Sequence, residues 1–425
     1  MNDLITVRDT CRVCGASGLV SIFSLGDMYV IDFLGDDEQS RSFKAPLELV
    51  LCNTENGGCG LLQLRHTVSH ESMYRNYWYR SGTNRTMTNE LAGIAAKVES
   101  LVPLAAGGYV IDIGANDGTL LRNYKTQGLH LIGFEPAKNL QELNSVGTTK
   151  VFEDFFNANR WKENFGEAKA KGITAIAMFY DLEHPNDFLK DIVQCLDDDG
   201  VFIIQQSYLP LMLATNEFGN ICHEHVEYYS LLSLEYLIKQ NGLEIFDVEL
   251  NDINGGSFRT YVRHAGGRGK GVRAPIGADI RLQSLRLYEK SLGLDKHQVY
   301  LDFVKRVEDI KKQTMDFIKK EMAAGKKIHI YGASTKGNTV LQYFGIDGNM
   351  ITAAADRNPG KWGKKMAGTN VPVISEEQSR AEKPDYFLVL PWHFLKEFMS
   401  REKEFLDRGG KFIVPFPEFR VVGKE

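Results

Sequence analysis

The densest run of reactive side chains is Cys222-His223-Glu224-His225, continued after Val226 by Glu227, Tyr228, Tyr229 and Ser230. An imidazole can take a proton near neutral pH, a neighbouring carboxylate can orient or charge it, and tyrosine hydroxyls can donate to an oxyanion as it forms. His225 is therefore a candidate base with Glu224 beside it, and Cys222, His223 and Tyr228 are candidates for holding a substrate. Two other readings stay open: a metal site built from Cys222, His223 and His225, with no evident fourth ligand, and histidines that cap a helix or sit satisfied in a core. His184, ending the stretch Ile173 to His184, faces either an active site or solvent, and Tyr180 in the same stretch is a candidate for the cofactor. Asn254-Gly255-Gly256-Ser257 reads as a glycine turn entering a strand, with Asn254 a candidate substrate contact.

Four of the six cysteines, Cys11, Cys14, Cys52 and Cys59, lie in the first 60 residues. Cys11-Arg-Val-Cys14-Gly15 is a knuckle whose two thiolates can grip one ion, and Cys52 and Cys59-Gly60 supply a second pair. Four protein thiolates close a tetrahedral zinc site with no position left for water or substrate, so the expected zinc is structural. The departure from the usual spacing is the insertion Asn53 to Gly58 between the second pair.

These groups need elements to carry them. Tyr109-Val-Ile-Asp112-Ile-Gly114-Ala-Asn116-Asp117-Gly118-Thr-Leu-Leu predicts a buried strand, a glycine turn and the start of a helix. Glycine there lets a ligand approach the backbone at the carboxyl end of a parallel strand. The next strand, Leu129 to Glu135, ends in an acid placed for ribose hydroxyls, and Asp154 after a third strand is placed for an adenine edge. Asp112, Gly114, Asn116, Asp117, Gly118, Glu135 and Asp154 form the expected cofactor set.

Val299, Phe303, Val307, Ile310 and Phe317 predict a long packing helix within residues 276 to 320. Beyond it, Ile328 to Tyr331, the loop Gly332-Ala-Ser334-Thr335-Lys336-Gly337-Asn338 and the strand ending at Asp356 repeat the strand, glycine loop and helix order. Backbone amides there, with Ser334, Thr335 and Lys336, suit a diphosphate at a helix N-terminus, although a purely structural repeat has the same appearance. Asp385 to Leu390 is a further buried strand, with Trp392 and His393 at its functional end.

Composition sets the outer bounds. At 425 residues, 43% hydrophobic and 25% charged, the chain is globular and divides into about three domains. Fifty Lys plus Arg against 55 Asp plus Glu leave a net charge of -5 and no long basic stripe, so no nucleic-acid partner is expected. There is no basic start followed by an apolar run and no stretch of about 18 apolar residues, so neither secretion nor a membrane is signalled and a cytoplasmic location is expected.

Asp112-x-Gly114-x-x-x-Gly118 with Glu135 on the next strand resembles class I S-adenosylmethionine-dependent methyltransferases. Together with Cys11-x-x-Cys14, Ile113 to Leu121, His223-Glu224-His225, Tyr228 to Ser230, the segment Tyr77-Trp78-Tyr79-Arg80-Ser81-Gly82 and Gly255-Gly256-Ser257, nearly the whole chain resembles the sugar C-methyltransferases that act on nucleotide-linked 4-keto-6-deoxysugars. It departs from them at Cys222, often tyrosine there, and at Asn254, commonly histidine.

The resemblance implies an α/β chain: a small N-terminal zinc-binding domain (1–75), a central class I methyltransferase Rossmann-like domain (76–265), a helical linker (266–320) and a C-terminal Rossmann-like domain (321–425). It implies S-adenosylmethionine and structural zinc as cofactors, and a deoxythymidine diphosphate 4-keto sugar methylated at carbon 3. His225 would be the base, and Tyr77, Tyr79 or Tyr228 would support an enolate. The diphosphate contacts would extend from Ser334 to Asn338. Methylation of a sugar oxygen, and a non-catalytic zinc-ribbon nucleotide sensor, are the alternatives.

Overall fold

The computed structural model describes residues 4–30, 33–35, 38, 43–75, 77–266 and 271–424. The N-terminal part is an antiparallel sheet of β1 (Val20–Tyr29), β2 (Lys44–Leu51) and β3 (Leu62–Leu64), and the short strand Glu227–Tyr228 pairs on to β3 from far along the chain. The cysteine pairs meet where β2 gives way to β3. Cys11 Sγ lies 3.6 Å from Cys59 Sγ, and Cys14 Sγ lies 3.5 Å from Cys52 Sγ. A tetrahedron of Zn–S bonds has edges of about 3.8 Å, so the four sulfurs fit zinc.

The Asn53 to Gly58 insertion folds as a turn that returns the chain to the metal. Asn53 Oδ1 accepts from Glu55 N, the short helix Thr54–Asn56 follows, and Gly57 reverses it at φ 77°. A Cβ on Gly58 would lie 2.5 Å from Cys52 Sγ, which requires glycine.

The central sheet contains β4 (Tyr109–Ile113), β5 (His130–Phe134), β6 (Lys150–Phe152), β7 (Ala170–Ile176), β8 (Leu196–Ser207), β9 (Leu243–Asn251) and β10 (Ser257–His264). Their order is β9-β10-β8-β7-β4-β5-β6, parallel except for β10, which runs antiparallel between β9 and β8. The order reverses at β4, and the crevice above that switch point is where an open parallel sheet binds ligands. After the turn in which Asn116 and Gly118 sit at φ 51° and 77°, the chain forms the short 3-10 turn Leu121–Asn123 in place of the expected helix. The helix α1 (Arg85–Leu101) covers one face of the sheet, and α2 (Pro185–Cys195) and α3 (Leu231–Gln240) cover the other.

The expected long helix is two: α4 (Ala278–Leu292) and α5 (His297–Ala323), separated by Gly293 in a left-handed cap at φ 66°. Tyr300, Phe303, Val307, Ile310 and Ile318 of α5 share one core with β1, β2 and the C-terminal sheet, so this segment is a central packing element. That sheet contains β11 (Ile328–Tyr331), β12 (Ala353–Asp356), β13 (Val373–Ser375), β14 (Tyr386–Val389), β15 (Lys411–Val414) and β16 (Arg420–Val422), in the order β13-β12-β11-β14-β15-β16. Only β16 is antiparallel, and α6 (Thr335–Phe344) follows the glycine loop after β11. Among the described residues, no helix is long and apolar enough to cross a membrane.

Four thiols converging on one point give a zinc ion a cross-linking role in the knuckle. Cys14→Ser is expected to lower bound zinc from about one per chain to a small fraction, measured by metal analysis. Limited proteolysis should then cut first around the knuckle, and a variant that keeps zinc and resists cleavage would contradict the four-thiolate site.

Candidate active site

The carboxyl ends of the central strands and the N-terminus of α6 face one another across a cavity of about 410 Å³. Gly219 lies where the two domains meet: a Cβ there would stand 3.1 Å from the Lys336 carbonyl and 3.2 Å from Val340 Cγ2, so glycine favours the close approach of the turn Phe218–Asn220 to α6.

One end of the cavity is built by the glycine loop. Gly114 sits at φ 69°, and a Cβ on it would lie 3.2 Å from Met178 Cγ. Glu135, buried, accepts from Asn116 N and Ala137 N, both at 2.8 Å, which fixes its carboxylate at the cavity wall. Asp112 accepts from Thr174 Oγ1 at 2.6 Å, and burial pushes its pKa up to about 7. Asp154 completes the polar wall. The Asn116 side chain accepts from Ser81 N at 2.9 Å and donates to Tyr79 O at 3.1 Å, so it holds the tyrosine segment over the cavity. A turn with no Cβ at Gly114 beside a fixed carboxylate suits the ribose and methionine parts of S-adenosylmethionine. When bound, that cofactor supplies an electrophilic methyl group.

At the middle, a turn closed by His225 N donating to Cys222 O at 3.1 Å directs Cys222, Glu224 and His225 inward. His225 Nδ1 lies 2.9 Å from the Asn220 carbonyl, an acceptor, so Nδ1 carries the hydrogen and Nε2 the lone pair. The ring stands edge-on to Tyr180 at 4.4 Å. The orienting partner of His225 is thus a backbone carbonyl in place of the expected Glu224. Tyr74 Oη donates to the Glu224 carbonyl at 3.2 Å, and Tyr77 and Tyr79 line the same wall.

The far end is formed by Ser334, Thr335 and Lys336 at the start of α6, with Asn254 and His393 opposite. Ser334 caps the helix by accepting from Gly337 N at 3.1 Å. Burial and the Lys336 charge together lower the pKa of His225, and likewise of His393, to about 3, so both rings are neutral. Burial raises Glu217, whose carboxylate accepts from Trp392 Nε1, with Lys336 opposing that rise.

Six expected site residues lie elsewhere. Asp117 accepts from Gly82 N at 2.7 Å and Thr119 Oγ1 at 2.6 Å, tying two loops together behind the cavity. Gly118 shapes the turn: its φ of 77° favours glycine, and a Cβ there would stand 3.1 Å from Asn144 O. His184 is exposed just before α2. His223 turns away from its neighbour and pairs with the Ala45 carbonyl at 3.1 Å. Tyr228 lies in the strand paired to β3, and its hydroxyl donates to Asn220 O at 3.3 Å from behind His225. Asn338 is buried inside α6 off the cavity.

Sequence reasoning missed Tyr74, Asp181, Gln206 and Glu217. Asp181 is adjacent to Tyr180, so its position in the same strand-to-loop stretch was the available signal. Glu217 had none, because only the packing of Phe218–Asn220 against α6 brings it in.

Three family models match successive parts of the chain: a zinc binding domain over residues 11–74, a methyltransferase domain over 84–248 and a C-methyltransferase C-terminal domain over 252–417. The C-methyltransferase NovU of Streptomyces niveus is 29% identical over a 432-residue alignment covering 100% of this chain and 99% of the relative. Among solved structures, the chain is similar to the 1,6-didemethyltoxoflavin-N1-methyltransferase of Burkholderia thailandensis with bound S-adenosylhomocysteine, at 13% identity and TM-score 0.33, over 44% of this chain and 81% of that one. The CcbJ methyltransferase of Streptomyces caelestis is similar at 12% identity and TM-score 0.32, over 42% and 90%.

Two outcomes follow from the geometry. Gly114→Val, which puts a branched side chain into the cradle at a positive φ, should weaken S-adenosylhomocysteine binding by about 100-fold or more in calorimetry while leaving zinc content unchanged. In the free protein the His225 ring should stay neutral down to about pH 4 in an imidazole NMR titration, as expected for a folded pKa of about 3. Lys336→Met removes a charge that disfavours the imidazolium, so it should move that titration to higher pH; an unmoved midpoint would contradict the coupling.

Proposed function

We propose that this chain, an S-adenosylmethionine-dependent C-methyltransferase with a structural zinc, methylates a carbon next to the ketone of a nucleotide-linked 4-keto-6-deoxysugar, with His225 removing the proton. The observation that supports it most is one cavity containing, in sequence, the cofactor cradle at Gly114 and Glu135, the oriented imidazole of His225 and the α6 N-terminus with Lys336. Oxygen methylation and a non-catalytic nucleotide sensor, both open from the residues alone, give way to the C-methyltransferase matches along the chain.

In this reading the diphosphate takes the amides of Thr335 and Lys336 and the Lys336 ammonium, which holds the sugar ring against His225. A ketone acidifies the hydrogen on the adjoining carbon. His225 Nε2 accepts that proton as the C–H bond breaks, and the electron pair moves into the enolate. Tyr77 or Tyr79 donates to the enolate oxygen; burial keeps the Tyr77 phenol protonated, its pKa far above 10. Bound S-adenosylmethionine, held at Gly114 and Glu135, would supply the methyl group to the enolate carbon and leave as S-adenosylhomocysteine, and the His225 imidazolium would return its proton to solvent. The protein's contribution is alignment and water exclusion. Carbon 3 and deoxythymidine diphosphate are the position and carrier that follow from the resemblance to sugar C-methyltransferases.

A deoxythymidine diphosphate 4-keto-6-deoxysugar in deuterated water tests the reaction. The wild type should wash deuterium into the carbon beside the ketone when S-adenosylhomocysteine replaces the donor. His225→Asn should lose that exchange and lower turnover by about 10²–10⁴-fold, with S-adenosylhomocysteine affinity within about two-fold of wild type. Exchange that survives in His225→Asn would transfer the base role to another group.

A further inference from the structure

We propose that Cys222, Glu224 and His225 form a second metal site, one that takes a thiophilic divalent cation of the zinc class inside the cavity. One ligand atom from each of the three residues lies within 4.8 Å of the other two. The donors are a thiol, a carboxylate and an imidazole, a set suited to zinc-class ions and unlike the all-oxygen shells of magnesium or calcium. Three protein ligands leave one position open towards the cavity, in contrast to the closed set of the four-cysteine knuckle.

The supports for such a site are already built. The His225 N to Cys222 O turn sets the first and last donors on one side. The Asn220 carbonyl takes the Nδ1 hydrogen and leaves Nε2 as the donor nitrogen, the arrangement that outer partners impose on metal-bound histidines. Tyr74 Oη holds the Glu224 backbone. Cys222 and His225 are 2% and 8% exposed, so an ion there would be shielded from bulk water. The Glu217 carboxylate lines the same cavity and interacts with the Lys336 charge. On binding, the Cys222 S–H bond breaks, its proton passes to solvent, and the sulfur–metal bond takes its place.

Coordination uses the only lone pair of the neutral imidazole. The ring cannot then accept a carbon-bound proton, so occupancy of this site and turnover exclude one another. That inhibitory consequence rests on His225 being the base; the binding itself does not.

The full-length protein, purified with its knuckle zinc, would be titrated with cobalt(II) and followed by sulfur-to-cobalt charge-transfer absorption. We expect an added equivalent in the wild type. Cys222→Ser and His225→Asn should each weaken it by about 10-fold or more while retaining knuckle zinc and S-adenosylhomocysteine binding, which report an intact fold. No added equivalent, or one unaffected by Cys222→Ser, would overturn the site. Added zinc should also inhibit turnover, with Cys222→Ser at least about ten-fold less sensitive relative to its own uninhibited rate. Binding that depends on Cys222 without inhibition would support the site and remove His225 from the base role.

Discussion

The cavity depends on one buried cation, the guanidinium of Arg12. It lies between two zinc ligands, Cys11 and Cys14, and its side chain is fully buried. Its Nη1 donates to Gln63 Oε1 at 3.1 Å and Leu64 O at 2.5 Å, Nη2 to Thr67 Oγ1 at 2.5 Å, and Nε to Glu183 Oε2 at 3.0 Å. A charge removed from water is tolerable only when its donors are met, and breaking one such pair typically costs about 3–5 kcal/mol. The metal holds the backbone that carries Arg12, and Arg12 holds β3 and the loop ending at Glu183. Leu64 N then donates to Val226 O, and Val226 N donates to Tyr180 O, both within about 3.1 Å. The zinc knuckle, the strand after His225 and the loop carrying Tyr180 and Asp181 are therefore one hydrogen-bonded unit.

That unit explains why the histidine segment could be found in the sequence but not resolved there. Cys222-His223-Glu224-His225 is chemically conspicuous, yet His223 and His225 point to different partners because Glu227–Tyr228 pairs with β3 and fixes the strand's direction. The pairing partner is more than 160 residues away in the chain, and no local pattern encodes it. The same pairing sends Tyr228 behind the imidazole. Residue type and short spacing pointed to groups that the fold then brings together: the pairs Cys11/Cys14 and Cys52/Cys59 converge, and Gly114, Glu135 and Ser334 to Lys336 line one cavity. Residues brought in by packing between domains, such as Glu217, were not legible in this way. Asp117 and Gly118 show the complementary error, since a motif names the residues a loop needs without separating those that touch a ligand from those that shape the turn.

The sheet order supplies what the motifs cannot. Reversal at β4 opens the crevice where Gly114 and Glu135 sit, and the antiparallel β10 returns the chain through Asn254 to Ser257 beside the C-terminal domain. A Cβ on Gly255 would lie 3.6 Å from both the Glu217 carboxylate and His393 Nδ1. This turn thus carries the central domain's wall up to the C-terminal strand end, and cofactor cradle and anion end share one enclosure.

Within that enclosure the charge of Lys336 acts on both imidazoles as well as on any anion. In the free protein it adds to burial in holding His225 near pKa 3, too low for an effective base. In the proposed reaction a diphosphate beside Lys336 would cancel that contribution, and the base would strengthen only when the nucleotide end of the substrate is seated. Water entering without substrate meets a poor proton acceptor, whereas the sugar arrives with the anion that raises it. The distance between the diphosphate end and the reacting carbon is then part of the catalysis, and a truncated sugar lacking the diphosphate should be slow even when its ketone can reach His225.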